Sequence, residues 1–108
     1  MGKKTARQYL IKYLNRITTE IKPERVLIYG SFLTKKYNKE SDIDLLIIAK
    51  QFETVNEDDR LKMLYRLSVG IPLDIHIYGI TPKEAKQVSS LNSLSIALKT
   101  GKDANLLF

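Results

Sequence analysis

Two aspartates, Asp42 and Asp44, are separated by a single residue at the start of an apolar run, residues 45–49. Alternate side chains of a strand share a face, so both carboxylates point the same way, roughly 6–7 Å apart along the backbone. Two like charges at the mouth of a buried strand are costly unless something neutralises them. Hard oxygen donors of this kind suit Mg²⁺, which takes one or two carboxylates together with waters and substrate phosphates. A third acid, Asp74, lies near the start of a later strand-like run, residues 72–78. Upstream, an apolar run at 26–29 ends abruptly in Gly30-Ser31. Glycine permits a tight turn there, with no Cβ to keep a phosphate from the backbone. The amides that follow, with the Ser31 hydroxyl, can hold phosphate oxygens, especially where a helix begins. The chemistry this set predicts is an in-line phosphoryl displacement. Three carboxylates can hold two Mg²⁺ ions, one on a triphosphate and one lowering the pKa of the attacking hydroxyl. Asp74 would be a ligand or the general base on the nucleophile side. Such a site works by positioning and charge neutralisation and needs no covalent nucleophile.

The elements that must position these groups are legible from periodicity. Residues 4–22 read as a helix, with Ala6, Tyr9, Leu10, Tyr13, Leu14, Ile17 and Ile21 forming one apolar stripe that Pro23 closes. Tyr9 and Tyr13 read as core or rim residues. Residues 25–29 and 43–49 read as strands. A second helix opens near Asn56, a plausible N-cap, with acids in its first turn. Its shared face is expected to be Leu61, Leu64, Tyr65 and Ser68, and Gly70 ends it. Strand 72–78 alternates, with Leu73, Ile75 and Ile77 on one side and Asp74, His76 and Tyr78 on the other. Thr81-Pro82-Lys83-Glu84 is a capping box with proline at the first helical position. It opens a helix carrying Ala85, Val88, Leu91, Leu94, Ser95 and Leu98 that stops before Gly101. The apolar tail, residues 105–108, reads as a last docked turn or an interface element.

The expected fold class is α/β (α+β): a small mixed sheet of at least three strands flanked by helices, in the order α-β-β-α-β-α, with a short helical turn after Ser31. If the Gly30-Ser31 turn and the Asp42–Asp44 pair belong to one site, the first two strands run antiparallel. The crossover to the third strand contains a helix, which fits parallel pairing with the second strand. Direction alone therefore brings all three acids to one edge of the sheet.

Composition bounds the partners. The chain has 108 residues, 44% of them apolar and 28% charged, consistent with one soluble domain over 1–108. It has no cysteine, which excludes zinc–thiolate sites and thiol nucleophiles and fits a cytoplasmic setting. No apolar run is long enough to span a membrane, and the first residues show neither a signal-peptide core nor a myristoylation pattern. The net charge of +6 points to an anionic partner such as a nucleotide, nucleic acid or acidic protein, although its spread along the chain also serves solubility. Lys35 and Lys36, between the turn and the acids, are either phosphate contacts or solvated loop charges. His76, the only histidine, lies on the Asp74 face and reads as a packed or half-exposed strand residue; no serine has an evident histidine–acid partner. Gly-rich phosphate-loop, kinase and dinucleotide fingerprints are absent. Singly, each feature has an ordinary reading: a Gly-Ser turn, a capping Ser41 or Asp42, a solvent-facing Asp74. Their joint spacing carries the functional reading.

Residues 30–45 resemble the signature of the DNA polymerase β-like nucleotidyltransferase superfamily: a Gly-Ser turn, a loop, then Asp-x-Asp opening a strand, with a third acid on a later strand. Size and element order resemble the minimal nucleotidyltransferases of bacteria and archaea, and the likeness runs from about residue 25 to residue 78. The resemblance implies a nucleotidyltransferase fold in which Gly30 and Ser31 hold nucleotide phosphates, Asp42 and Asp44 bind Mg²⁺, and Asp74 completes the triad. It implies transfer of a nucleoside monophosphate, AMP from ATP, to a hydroxyl, with release of pyrophosphate. It also implies a helical HEPN-type protein as partner, an antitoxin role, and a tyrosine of that partner as acceptor. Where many members read Ala-Arg-Gly after Gly-Ser-x, this chain has Leu33-Thr34-Lys35, and Lys35 or Lys36 would supply the charge. A module that neutralises its partner by binding alone, and a nucleic-acid-directed transferase, are the competing functions. The nucleic-acid reading ranks last, because so short a chain has no evident second domain to hold a polynucleotide.

Overall fold

The 6-10-13-17 stripe builds α1 (Lys3–Glu20), which buries Ala6, Leu10, Tyr13, Leu14 and Ile17. The structure, a computed structural model, describes residues 2–34, 42–88, 92 and 94–104. β1 (Arg25–Tyr29) runs straight into a 3₁₀ turn (Gly30–Leu33), the short helical turn expected after the glycine. β2 (Ile43–Ile48), a second 3₁₀ turn (Lys50–Thr54) and α2 (Glu57–Arg66) follow. β3 (Ile75–Ile80), α3 (Pro82–Lys86), α4 (Leu94–Thr100) and a two-residue β4 (Lys102–Asp103) complete the described chain. The tail at 105–108, Lys35 and Lys36 lie outside the described residues.

The sheet order is β3-β2-β1-β4. β1 and β2 are antiparallel and β2 and β3 parallel, as motif direction requires; β4 adds an antiparallel edge to β1. One face packs Ile28, Ile43, Leu45, Ile47, Ile75 and Ile77 against α1 and α2. The other packs Leu27, Leu46, Ile48 and Ile80 against Ala97 of α4. Tyr13 belongs to the core, its hydroxyl donating to the Leu64 carbonyl at 2.7 Å, and Tyr9 packs partly buried beside it.

Three expectations are corrected. The last helix is broken: α3 ends at Lys86 and α4 begins at Leu94, where the Asn92 side chain accepts the Leu94 N–H at 2.8 Å. The sequence between them is rich in serine and asparagine, residue types that favour caps over helix interiors. β3 lies three residues later than expected at its start, which leaves Asp74 just ahead of it. In α2 the buried residues are Arg60 and Leu64, with Tyr65 exposed, rather than a face of Leu61, Leu64, Tyr65 and Ser68.

Arg60 is only 7% exposed because it has a partner for each part of its guanidinium. Nε donates to the Val55 carbonyl at 2.8 Å, Nη2 to Phe52 at 2.7 Å, and Nη1 to Gly79 at 3.2 Å and Glu84 Oε1 at 2.7 Å. Glu84 also closes the expected capping box, accepting the Thr81 N–H at 2.8 Å. Partial burial pushes the Glu84 carboxyl up, but hydrogen bonds from Thr81 and Arg60 outweigh it and hold the group below the usual carboxylate range. A carboxyl lowered on folding stabilises the protein above its unfolded pKa, and that contribution is lost as pH falls through the folded value. Stability against urea is expected to fall below about pH 4.5, and Glu84→Gln is expected to flatten that part of the profile.

Gly79, on β3, faces the Phe52 ring closely. A Cβ there would lie 2.6 Å from Phe52 Cε2 and 3.2 Å from Leu64 Cδ1. Gly79→Ala must displace the ring and is expected to cost about 1–3 kcal/mol, read as a lower urea midpoint at unchanged slope.

Candidate active site

The site is assembled by register. Tyr29, the last residue of β1, is opposite Asp44, and Asp44 is beside His76 on β3. Strand alternation puts Asp44 on the face of Leu46 and Ile48, away from α1. The chain then turns at Gly30, whose φ is +78°. A Cβ on Gly30 would collide with the Asp44 carboxylate. Glycine is therefore required twice, for the left-handed backbone and for the close approach of the acid to the turn. The Ser31 carbonyl accepts both the Thr34 N–H at 3.0 Å and the Thr34 hydroxyl at 2.9 Å, which closes the turn. Lys3 Nζ donates to the Thr34 carbonyl at 3.3 Å and lies 5.3 Å from the Phe32 ring centre, tying α1 to the same turn.

The Gly30 turn and the Asp42–Asp44 pair thus meet, as expected. Asp74 arrives beside them through the backbone: its carbonyl accepts the Ile43 N–H at 2.8 Å, and its side chain is exposed. Among the described residues, no three Asp, Glu or His side chains are already placed to hold one cation.

The residue that sequence reasoning undervalued is His76. Its Nε2 lies 3.2 Å from Asp42 Oδ2 and its Nδ1 3.8 Å from Asp44 Oδ1, with the side chain 60% exposed. The signal was available: His76 shares a face with Asp74, and parallel pairing of β2 with β3 sets it beside the acids.

Electrostatics fit a cation. Burial pushes the Asp44 carboxyl up; His76 opposes this and the Asp42 charge adds to it. A half-buried acid beside a second acid is stabilised by a nearby positive charge, which the donor chemistry of two carboxylates supplies best by binding a hard divalent ion. Beside Asp44, the Tyr29 phenol is pushed up to about 12 by burial and by the charges of Asp44 and Tyr78. Tyr78, 46% exposed, lies on the same face two residues after His76. A hollow of about 420 Å³ lined by Ile11, Leu14, Val26 and Asp103 lies on the α1 side of the sheet, and neither Asp42 nor Asp44 lines it. Among the described residues no helix is long and apolar enough to cross a membrane.

A mixed sheet with a glycine turn abutting an Asp-x-Asp strand defines a class, and comparison with known proteins identifies it. The model of the nucleotidyltransferase domain matches residues 10–99, and the chain belongs to that family. Domains of this family generally use divalent metal ions and nucleoside triphosphates. A Methanocaldococcus jannaschii protein named "putative protein adenylyltransferase" is 34% identical over 65 residues, 57% of this chain. That match spans 66% of the relative's length, a little under two thirds. Among solved structures, one titled as a "putative nucleotidyltransferase" from Sulfolobus solfataricus has a TM-score of 0.63 at 23% identity, over 81% of this chain and 77% of that one. BolA1 from Arabidopsis thaliana has a TM-score of 0.57 at 20% identity, over 70% of this chain and 94% of that one. Both likenesses are of fold.

Proposed function

We propose that the chain transfers AMP from ATP to a hydroxyl of a partner protein, a tyrosine of a helical HEPN-type toxin, and acts in the cytoplasm as that toxin's antitoxin. The observation that carries this reading is the Asp44 carboxylate seated against the Gly30 turn, with Asp42, just ahead of β2, near the same His76 ring. The family match and the printed name of the archaeal relative support the reaction class. Asp42 and Asp44 would hold a divalent cation, Mg²⁺ in the simplest case, which neutralises phosphate charge and acidifies the attacking hydroxyl when bound. The Gly30-Ser31 turn presents backbone amides and a hydroxyl to the phosphates, and Lys35 and Lys36 follow it in sequence to add positive charge. Asp74, at the head of β3, receives the proton of the acceptor hydroxyl. The acceptor oxygen bonds to the α-phosphorus, the bond from that phosphorus to the bridging oxygen breaks, and pyrophosphate departs.

The test is transfer of label from α-phosphate-labelled ATP by the purified chain to a purified HEPN-domain protein. The reading expects label on a tyrosine of that partner, stable to denaturation and dependent on a divalent cation. A stable complex that neutralises the partner yet never becomes labelled would replace transfer with masking by binding.

A further inference from the structure

β3 is an outer strand of the sheet, and a hollow of about 270 Å³ beside it is lined by Glu57, Leu61, Tyr78, Ile80, Asn92 and Leu94. Three elements supply apolar surface to it: α2 through Leu61, α4 through Leu94, and β3 through the ring of Tyr78, 46% exposed. With its side-chain oxygen accepting the Leu94 N–H at 2.8 Å, Asn92 has an NH₂ donor to offer a ligand, and Glu57 has carboxylate acceptors. Small-molecule pockets start at about 300 Å³, so this hollow suits one flat ring system rather than a whole nucleotide. An outer strand also invites pairing with a strand of a partner. Here the Asp74 and Ile80 carbonyls accept from the β2 side, so those of Ile75 and Gly79 face outwards. Both already accept side-chain donors, the Tyr65 hydroxyl at 3.3 Å and the Arg60 guanidinium at 3.2 Å. The aromatic wall, not the strand edge, is what this side of β3 offers.

We infer that the base of the nucleotide stacks on Tyr78 in this hollow, with Asn92 and Glu57 at its polar edge, so that Tyr78 holds the nucleoside end of the substrate. This rests on the reading that the Gly30 turn and the Asp42–Asp44 pair bind a nucleoside triphosphate, and extends it to the base. Register connects the two places. His76 is beside Asp44, and Tyr78 is one strand repeat further along the same face, roughly 7 Å away. In a nucleotide a ribose spans a comparable gap between the α-phosphate and the base. The Tyr29 phenol feels the charges of both Asp44 and Tyr78, which puts the Tyr78 hydroxyl in the neighbourhood of the acid. Aromatic side chains are general platforms for bases, because every base has a π-face to stack. A donor from Asn92 and an acceptor from Glu57 match the adjacent acceptor and donor that a base presents on its edge.

The test compares two probes on the full chain by calorimetry with Mg²⁺: a non-hydrolysable ATP analogue, and inorganic tripolyphosphate, which has the phosphates and no base. Tyr78→Ala is expected to weaken the analogue by about fivefold or more and to leave tripolyphosphate within about twofold of the wild type. Tyr78→Phe keeps the ring and is expected to bind the analogue within about twofold of the wild type. Unchanged analogue binding by Tyr78→Ala overturns the inference. So does an equal loss of both probes, which would mean that the substitution harms the fold or the phosphate site. Asp42→Asn/Asp44→Asn separates the two readings. Loss of both probes there with no effect of Tyr78→Ala on the analogue refutes the base site alone. Wild-type binding of both probes by the double variant, or no binding of either by the wild type, refutes the triphosphate site and the inference with it.

Discussion

Asp44→Asn is expected to lower nucleotidyl transfer by at least ~10³-fold while the fold stays as stable as the wild type or becomes more so. The two halves of this result have one cause. Asp44 sits half-buried against the Gly30 turn, near Asp42, and burial pushes its carboxyl up. An acid whose pKa rises on folding binds protons more tightly in the native state, so at neutral pH its ionised form opposes folding. Asparagine keeps the shape and removes the charge. On the proposed reading it would also remove a hard anionic ligand and the charge that holds a cation on the phosphates. Activity is checked with labelled ATP, and stability by thermal melting at neutral pH. Transfer within tenfold of the wild type would contradict the assignment, and a melting temperature lowered by several degrees would mean that the carboxylate supports the fold.

Arg60→Ala is expected to show the reverse pattern, a large loss of stability at a buried residue outside the Gly30 turn and the Asp42–Asp44 pair. Its guanidinium joins the second 3₁₀ turn, α2, β3 and α3 through three carbonyls and Glu84. Truncation takes one donor from each of those carbonyls, although Phe52 still accepts the Val55 N–H at 3.1 Å, opens a void beside the Phe52 ring and removes the Glu84 counter-charge. Hydrogen bonds involving a charged group contribute about 1.5–3 kcal/mol, and interior carbonyls that lose a donor add a desolvation cost, while Glu84, 41% exposed, stays in reach of water. The expected loss is about 3 kcal/mol, or a fall of about 10 °C or more in Tm. Arg60→Lys is expected to fall between, since one ammonium cannot address the whole fan of acceptors. A change below about 0.5 kcal/mol for the alanine variant would show that the network is redundant.

Direction and parity carried most of what the sequence could say. The antiparallel β1–β2 and parallel β2–β3 pairings follow from where the turn and the acids fall on their strands and from the length of the crossovers. The capping box at Thr81 and the Asn56 cap are local chemistry and formed where expected. What stayed hidden depends on distant partners. β4 is two residues long and exists because β1 offers it an edge. Arg60 reads as a surface charge until four distant acceptors are brought around it. The break between α3 and α4 was signalled by serine and asparagine, but the apolar spacing of Val88, Leu91 and Leu94 argued for continuity. His76 beside the carboxylates was a matter of register, which strand alternation limits and only pairing decides.

The central claim, that the Gly30 turn and the Asp42–Asp44 pair form one nucleotide site, is tested most directly by calorimetry. A non-hydrolysable ATP analogue is titrated into the wild type and into Asp42→Asn/Asp44→Asn, each with a divalent cation and with EDTA. Saturable binding that requires the cation and disappears in the double variant is the predicted result. Binding of equal strength in EDTA, or undiminished in the double variant, would contradict the account.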